Sequence, residues 1–355
     1  LLRLVARDFR PLLEERGFLL LQRAAPALPL DPSVLEPLLE REVASGEWLE
    51  LPAPDDAARV LHVDWPWTAS GRLLGLLYRA YIAQDADLTD QPQPQSALRS
   101  GGPESLVDWQ TLGRQGRAFV ADGPDAATIE GFSGEPALEP IRSYVGMAQA
   151  ESPEQRAELL VAEVRRAGGF ERSHLVIVVT SGLGSVHPTS ARTLEYVANG
   201  DVATAATQFS LVPSWFTAIT DPRGADLEAR ALVEAFTAAV EQMPVQDRPR
   251  LYLSGESLGA LGSQDVFIDQ SPQDVTAVFD GVLWVGTPAT STLISQWASF
   301  PDGTPPWEPV VGDASIARFA ASGDRVALTD PSWGPRRILF LHSATDPVAY
   351  LEGSI

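Results

Sequence analysis

The interior of the run His174-Leu175-Val176-Ile177-Val178-Val179-Thr180 is apolar at every position and mostly β-branched. A strand with one wet face alternates apolar and polar residues. One that is apolar throughout is covered on both faces, as in a parallel sheet sandwiched by helices. The flanking sequence agrees. Ile141–Met147 is a short apolar run, and Ser152-Pro153-Glu154-Gln155 places a serine cap, a proline and a glutamine where a helix begins. That helix runs through Val164 and is closed by Gly168-Gly169. Ala203–Ser210 is a further strand candidate. Asp226 to Met243 reads as helix, with Leu232, Phe236 and Val240 on one face and Glu228, Glu234 and Glu241 for the wet side. Arg250–Leu253, Gly281–Val285 and Arg337–Leu341 are three more short strands. Strands alternating with helices predict right-handed crossovers and an α/β fold with a doubly wound, mostly parallel sheet.

The first 98 residues have a different texture. They read as a mainly helical N-terminal segment that ends in the polar linker Asp90-Gln91-Pro92-Gln93-Pro94-Gln95, with residues 99–355 as the α/β domain. Leucines at near-helical spacing predict a helix over Leu1 to Leu21, Pro32-Ser33 to Val43 a second, and Gly71 to Ala83 a third. His62 beside Asp64 reads as structural.

Composition removes several function classes. The formal net charge is −21 and every cationic side chain is arginine, so the surface repels phosphate backbones and nucleic-acid binding is not expected. The acidic balance reads as a solubility feature. Without cysteine there is neither a disulfide framework nor a thiolate metal site. No apolar run approaches the roughly 18–20 residues that span a bilayer. Gly17-Phe18-Leu19-Leu20-Leu21 is far shorter and is bracketed by Arg16 and Arg23. No signal peptide is read, and Leu1 in place of Met leaves room for a natural N-terminus upstream.

The chemistry concentrates at Gly255-Glu256-Ser257-Leu258-Gly259, between the strand Arg250–Leu253 and a helix start. A serine on a sharp strand-to-helix turn is lifted above the sheet, and flanking glycines remove the clashes such a turn creates. The Leu258 N–H would face a developing oxyanion at the positive end of the new helix. The loop Ser181-Gly182-Leu183-Gly184-Ser185 is placed to add a second donor, with Glu256 beside the serine on the substrate side. Gly-Leu-Gly without a lysine does not make a nucleotide-binding loop.

A serine nucleophile needs a base and an orienting acid. Asp346, after the strand Arg337–Leu341, is the first candidate for the acid and Asp324 the second. Four histidines exist: His62, His174, His187 and His342. His174 starts a buried strand. His187, in the loop after that strand, and His342, four residues before Asp346, remain candidates for the base. Trp215 and Trp297 are candidates for an apolar acyl pocket, with core packing as the competing assignment. The reaction so read calls for no metal and no organic cofactor.

Several motifs taken together carry a resemblance: Ser100-Gly101-Gly102-Pro103-Glu104-Ser105-Leu106-Val107-Asp108-Trp109, Leu112-Gly113-Arg114-Gln115-Gly116-Arg117, Gly255 to Gly262, Trp284-Val285-Gly286-Thr287-Pro288 and Asp346-Pro347. Over roughly residues 85 to 350 the chain resembles a bacterial α/β-hydrolase family that joins a membrane-spanning N-terminal region to a C-terminal hydrolase domain. The resemblance implies a serine hydrolase with Ser257 as nucleophile and Asp346 as triad acid. It also implies a membrane setting and a hydrophobic or lipid-like ester or amide substrate. Residues 1–80 lack the family's spanning helices, so this chain is expected to be a soluble variant or one with those segments removed. The family's late Gly-His-Gly-His stretch has no counterpart after Asp346-Pro347, so the chain is expected either to be truncated there or to draw its histidine from elsewhere. A hydrolase-fold binding module without a working triad and an acyltransferase using the same site are the alternatives.

Overall fold

A computed structural model describes residues 9–15, 18–23, 69–88 and 91–348, apart from 215, 218–220, 222, 323–325, 327–329, 331 and 347. The chain divides into two units, Leu1–Arg72 and Leu73–Ile355.

In the first unit, β1 (Phe9–Glu15) and β2 (Phe18–Arg23) form an antiparallel hairpin with a register shift between Pro11 and Leu13. This corrects the helix expected over Leu1 to Leu21. The leucines fit a helical period, but Pro11 sits inside it, and a proline there removes a hydrogen bond and clashes with the preceding turn. The segment Pro32 to Val43, His62 and Asp64 lie outside the described residues. The third expected helix is present as α1 (Ala69–Ala86), which from Leu73 onward belongs to the second unit.

The second unit is built on a seven-stranded sheet whose neighbouring strands all run parallel. In chain order its strands are β3 (Ile141–Val145), β4 (His174–Val179), β5 (Val202–Thr207), β6 (Arg250–Glu256), β7 (Gly281–Val285), β10 (Ala317–Ala320) and β11 (Arg337–Leu341). Their spatial order is β10-β11-β7-β6-β4-β5-β3. Two-residue strands β8 (Ala298–Ser299) and β9 (Val310–Val311) pair separately. The helices are α2 (Gly113–Ala121), α3 (Ala126–Ser133), α4 (Pro153–Arg166), α5 (Pro188–Val197), α6 (Gly224–Glu241), α7 (Leu258–Asp265), α8 (Pro272–Val278) and α9 (Thr292–Trp297).

Helices lie on both faces, although on the side of α2 and α5 the residues of β6, β7 and β11 are only half-buried. Arg142 and Tyr144 of β3 point to α2 and α5: Tyr144 packs on Phe119 and Gly116, and Arg142 makes a buried two-pronged ion pair with Glu195. On the opposite face α4 and α6 are joined by the buried pair Arg156–Glu228, which places Glu228 inside the fold and not on the wet side expected of it, and α6 meets α7 where Gly262 abuts Ala225. Between them Leu175, Ile177, Leu160, Leu232, Phe236 and Leu253 are sealed from water. The serine cap Ser152 with Pro153 starts α4, and Gly168, with φ +79°, ends it in the left-handed region that glycine adopts without strain. The expected strand over Ala203–Ser210 is β5, buried at every position. Its alanines are small because helices approach from both sides.

Candidate active site

Strand β6 lies mid-sheet between β4 and β7, and its C-terminal end turns directly into α7. Ser257 occupies the turn with φ 55° and ψ −121°, a conformation essentially reserved for glycine. The turn is locked from both sides. Ser257 N–H donates to the Val285 carbonyl at 2.9 Å, and the Leu261 N–H donates to the Ser257 carbonyl at 3.1 Å. A Cβ on Gly255 would lie 2.7 Å from the Gly259 carbonyl oxygen, and one on Gly259 would lie 2.1 Å from that of Val179. Both glycines are therefore steric requirements of the turn. Leu258 is the first residue of α7, where a backbone N–H has no acceptor within its own helix and the helix end is positive.

The loop after β4 runs alongside. In it the Gly182 N–H donates to Ser214 Oγ at 3.0 Å and the Gly184 N–H to the Ser181 carbonyl at 2.8 Å. The Leu183 N–H has no acceptor among the described residues. Of the three positions expected to offer a donor, the geometry leaves Leu183 open, because the two glycines use their N–H groups to shape the loop. Glu256 is half-buried on the α5 face of the sheet. It borders a cavity of about 230 Å³ together with Gly255, His187, Val178, Val285 and Leu341.

Glu256, Val285 and Leu341 are register neighbours on β6, β7 and β11. One residue further along, Ser257, Gly286 and His342 leave three adjacent strand ends. The backbone of His342 is thus two strand spacings, about 10 Å, from that of Ser257. His342 is 2% exposed, packed edge-on against Phe319 and Phe340, and its Nε2 has no hydrogen-bond partner among the described residues. Burial pushes its pKa down to about 4, and the Asp346 carboxylate only partly opposes that shift. Asp346 reaches over the end of β7, its Oδ2 3.6 Å from where a Cβ on Gly286 would project, and its Oδ1 accepts from the Val348 N–H. His187 is exposed and caps α5 at the cavity rim. Among the described residues no histidine nitrogen hydrogen-bonds Ser257 Oγ.

A family model described as "Alpha/beta-hydrolase family" matches residues 141–355, and one described as "Alpha/beta-hydrolase family N-terminus" matches residues 68–124. The chain belongs to the α/β-hydrolase family. No curated protein matches it. Among solved structures, an acetyl xylan esterase in an iodinated complex is similar over 52% of this chain and 92% of its own, at 14% identity and a TM-score of 0.26. A chain from work titled for the lipolytic enzymes LipS and LipT is similar over 41% of this chain and 55% of its own, at 21% identity and a TM-score of 0.21.

Within this α/β-hydrolase-family fold the remaining candidates fall in different places. His174 stacks on Tyr252 at the opposite strand end from Ser257, and its Nδ1 contacts the Asp201 carbonyl, which is a structural role. Trp297 closes α9 with its Nε1–H donated to the Gln270 carbonyl and its ring against Trp284 and Phe340. Gln270 follows the far end of α7, so Trp297 is a core aromatic away from the serine rather than an acyl-pocket wall. Trp215 and Asp324 lie outside the described residues. Sequence reasoning missed Tyr144, Gln208 and Ser214, which shape the 181–185 loop. None of them stands in a motif, and their role exists only once β3 and β5 are adjacent. No helix among the described residues is long and apolar enough to cross a membrane.

Proposed function

We propose that this chain is a serine hydrolase that transfers the acyl group of an ester or amide to water through Ser257. The observation that carries the reading is the positive φ of Ser257 between two sterically required glycines; the N–H groups of Leu258, first in α7, and of Leu183, in the loop after the adjacent strand β4, are the donors this reading assigns to the oxyanion. Backbone strain of this kind costs about 1–3 kcal/mol and is retained where a site uses it. Ser257 Oγ attacks the carbonyl carbon as a histidine takes its proton. The two N–H groups hold the oxyanion, the leaving group departs with the proton, and water repeats the sequence on the acyl-serine.

Asp346 is the orienting acid in this scheme and His342 or His187 the base. His342 is the one in the field of Asp346, but its depressed pKa makes it a weak base; His187 stands open at the cavity rim. The apolar wall of Val176, Val178, Leu283, Val285 and Leu341 beside the elbow supports a hydrophobic or lipid-like substrate.

The test is fluorophosphonate labelling of the chain and of Ser257→Ala, with the modified site mapped by mass spectrometry. Labelling at Ser257 that vanishes in the variant supports the hydrolase. Absence of labelling supports the second reading, a hydrolase-fold binding module, which is favoured by the lack of a Ser257–histidine hydrogen bond among the described residues.

A further inference from the structure

Asp85, in the last turn of α1, sits outside the sheet, yet its carboxylate reaches two groups of the hydrolase fold. Its Oδ1 accepts the Arg114 N–H at 2.9 Å and the Gln208 Nε2–H at 3.1 Å. The first contact caps α2, whose own preceding residue Leu112 offers no side-chain cap. Gly113 makes the approach possible, because a Cβ there would lie 2.8 Å from the same carboxylate oxygen and 2.7 Å from Gln208 Oε1. Arg117 completes the joint by donating to the Asp85 and Asp87 carbonyls at the end of α1. The Leu112-Gly113-Arg114-Gln115-Gly116-Arg117 motif is thus a docking site for α1.

The second contact leads to the active site. Gln208 is buried, follows β5, and accepts the Met147 N–H on its Oε1. Its side chain fills the space beside Gly184, where a Cβ would meet Gln208 Cγ at 2.8 Å and Tyr144 Oη at 2.4 Å. Tyr144 Oη donates to the Gly184 carbonyl at 2.6 Å, and its ring is seated against Gly116 of the same motif. Gly184 is the residue after Leu183.

We propose that Asp85 is a positioning residue that fixes, through Gln208, the loop whose Leu183 N–H serves as second oxyanion donor. The proposal rests on the reading of Ser257 as nucleophile. Removing an oxyanion donor outright costs on the order of 10²–10³ in kcat, so loosening its support predicts a smaller loss confined to kcat.

The experiment measures steady-state hydrolysis of a p-nitrophenyl ester, together with Tm, by the full chain and by Ser257→Ala, Asp85→Ala, Asp85→Asn, Gln208→Ala and the Asp85→Ala/Gln208→Ala double variant. The expected result is turnover that needs Ser257, kcat about tenfold lower in both alanine variants with KM within about twofold, and recovery in Asp85→Asn, which keeps the Oδ1 acceptor. The double variant should be no slower than the worse single one, because the two residues act as a unit. If turnover needs Ser257 but the alanine variants match the parent kcat, or lose Tm alone, the positioning role is overturned and the nucleophile stands. If the parent shows no Ser257-dependent turnover, the nucleophile reading fails and the positioning role falls with it.

Discussion

Gly259 presses so closely on the end of β4 that a Cβ there would stand 2.1 Å from the Val179 carbonyl oxygen and 2.3 Å from that of Thr180. This contact seats the elbow helix on the neighbouring strand. Gly259→Ala must push backbone against backbone, since neither partner is a flexible side-chain tip. Overpacking of this sort costs about 1–3 kcal/mol. The expected outcome is a lowered urea midpoint and lost phosphonate labelling. Gly131 is the control: it lies inside α3 with nothing within 4 Å of its would-be Cβ. Gly131→Ala should leave labelling intact and raise stability by about 0.5–1 kcal/mol.

Ser257 carries the strain that Gly259 permits. At φ 55° and ψ −121° a side chain is crowded by its own backbone, whereas glycine is at ease. Ser257→Gly should therefore stabilise the fold by about 1 kcal/mol while abolishing labelling, and Ser257→Ala should abolish labelling without that gain. Chemical denaturation of the three proteins reads the difference. Equal midpoints for the glycine and alanine variants would remove the strain argument.

How much of this was legible beforehand follows from how local each signal is. Arg337–Leu341 and Gly281–Val285 are strands at the positions read from their apolar runs, and the strand-to-helix turn at Ser257 was read from its glycine spacing together with the strand before it. The hairpin Phe9–Arg23 was misread because leucine periodicity outweighed one proline. Strand β10 went unnoticed. Its Ala-Arg-Phe-Ala is too short and too mixed to announce itself, and it is a strand because β11 offers it a parallel edge. The support of the 181–185 loop was invisible for the same reason: Asp85, Tyr144 and Gln208 are far apart in sequence and meet only in the folded sheet.

Arg142 and Glu195 show what long-range pairing does for the site. Their two hydrogen bonds, 2.6 and 2.8 Å, tie β3 to the helix that begins after His187. Both side chains are sealed from water. Deleting one partner strands the other charge in the core, which costs about 3–5 kcal/mol. Glu195→Ala should show that loss in urea unfolding. Arg142→Met combined with Glu195→Leu should lose much less, since no charge is left buried. If the single variant is as stable as the double one, the pair does not hold α5 in place.

His342 and Asp265 give the fold an unusual pH dependence. In the unfolded chain a histidine binds its proton near 6.5, whereas burial delays that to about 4 in the fold. Between those values the unfolded state holds more protons, so stability declines as pH falls from 6.5 towards 4, by up to about 3 kcal/mol. Asp265 works in the opposite sense. Burial, then the nearby Asp226 carboxylate, raises its pKa from 3.8 to about 6, so here the folded state holds the proton longer and stability is lost as pH rises towards 6. The two effects oppose each other between about pH 4 and 6, and above 6 the histidine acts alone. Melting curves from pH 4 to 8 should therefore be flatter for the parent than for Asp265→Asn, which lacks the opposing carboxylate and falls more steeply on acidification. At pH 8 Asp265→Asn should melt above the parent, because no buried charge remains there. A parent and Asp265→Asn with superimposable pH profiles would mean that Asp265 ionises in the fold as it does in water.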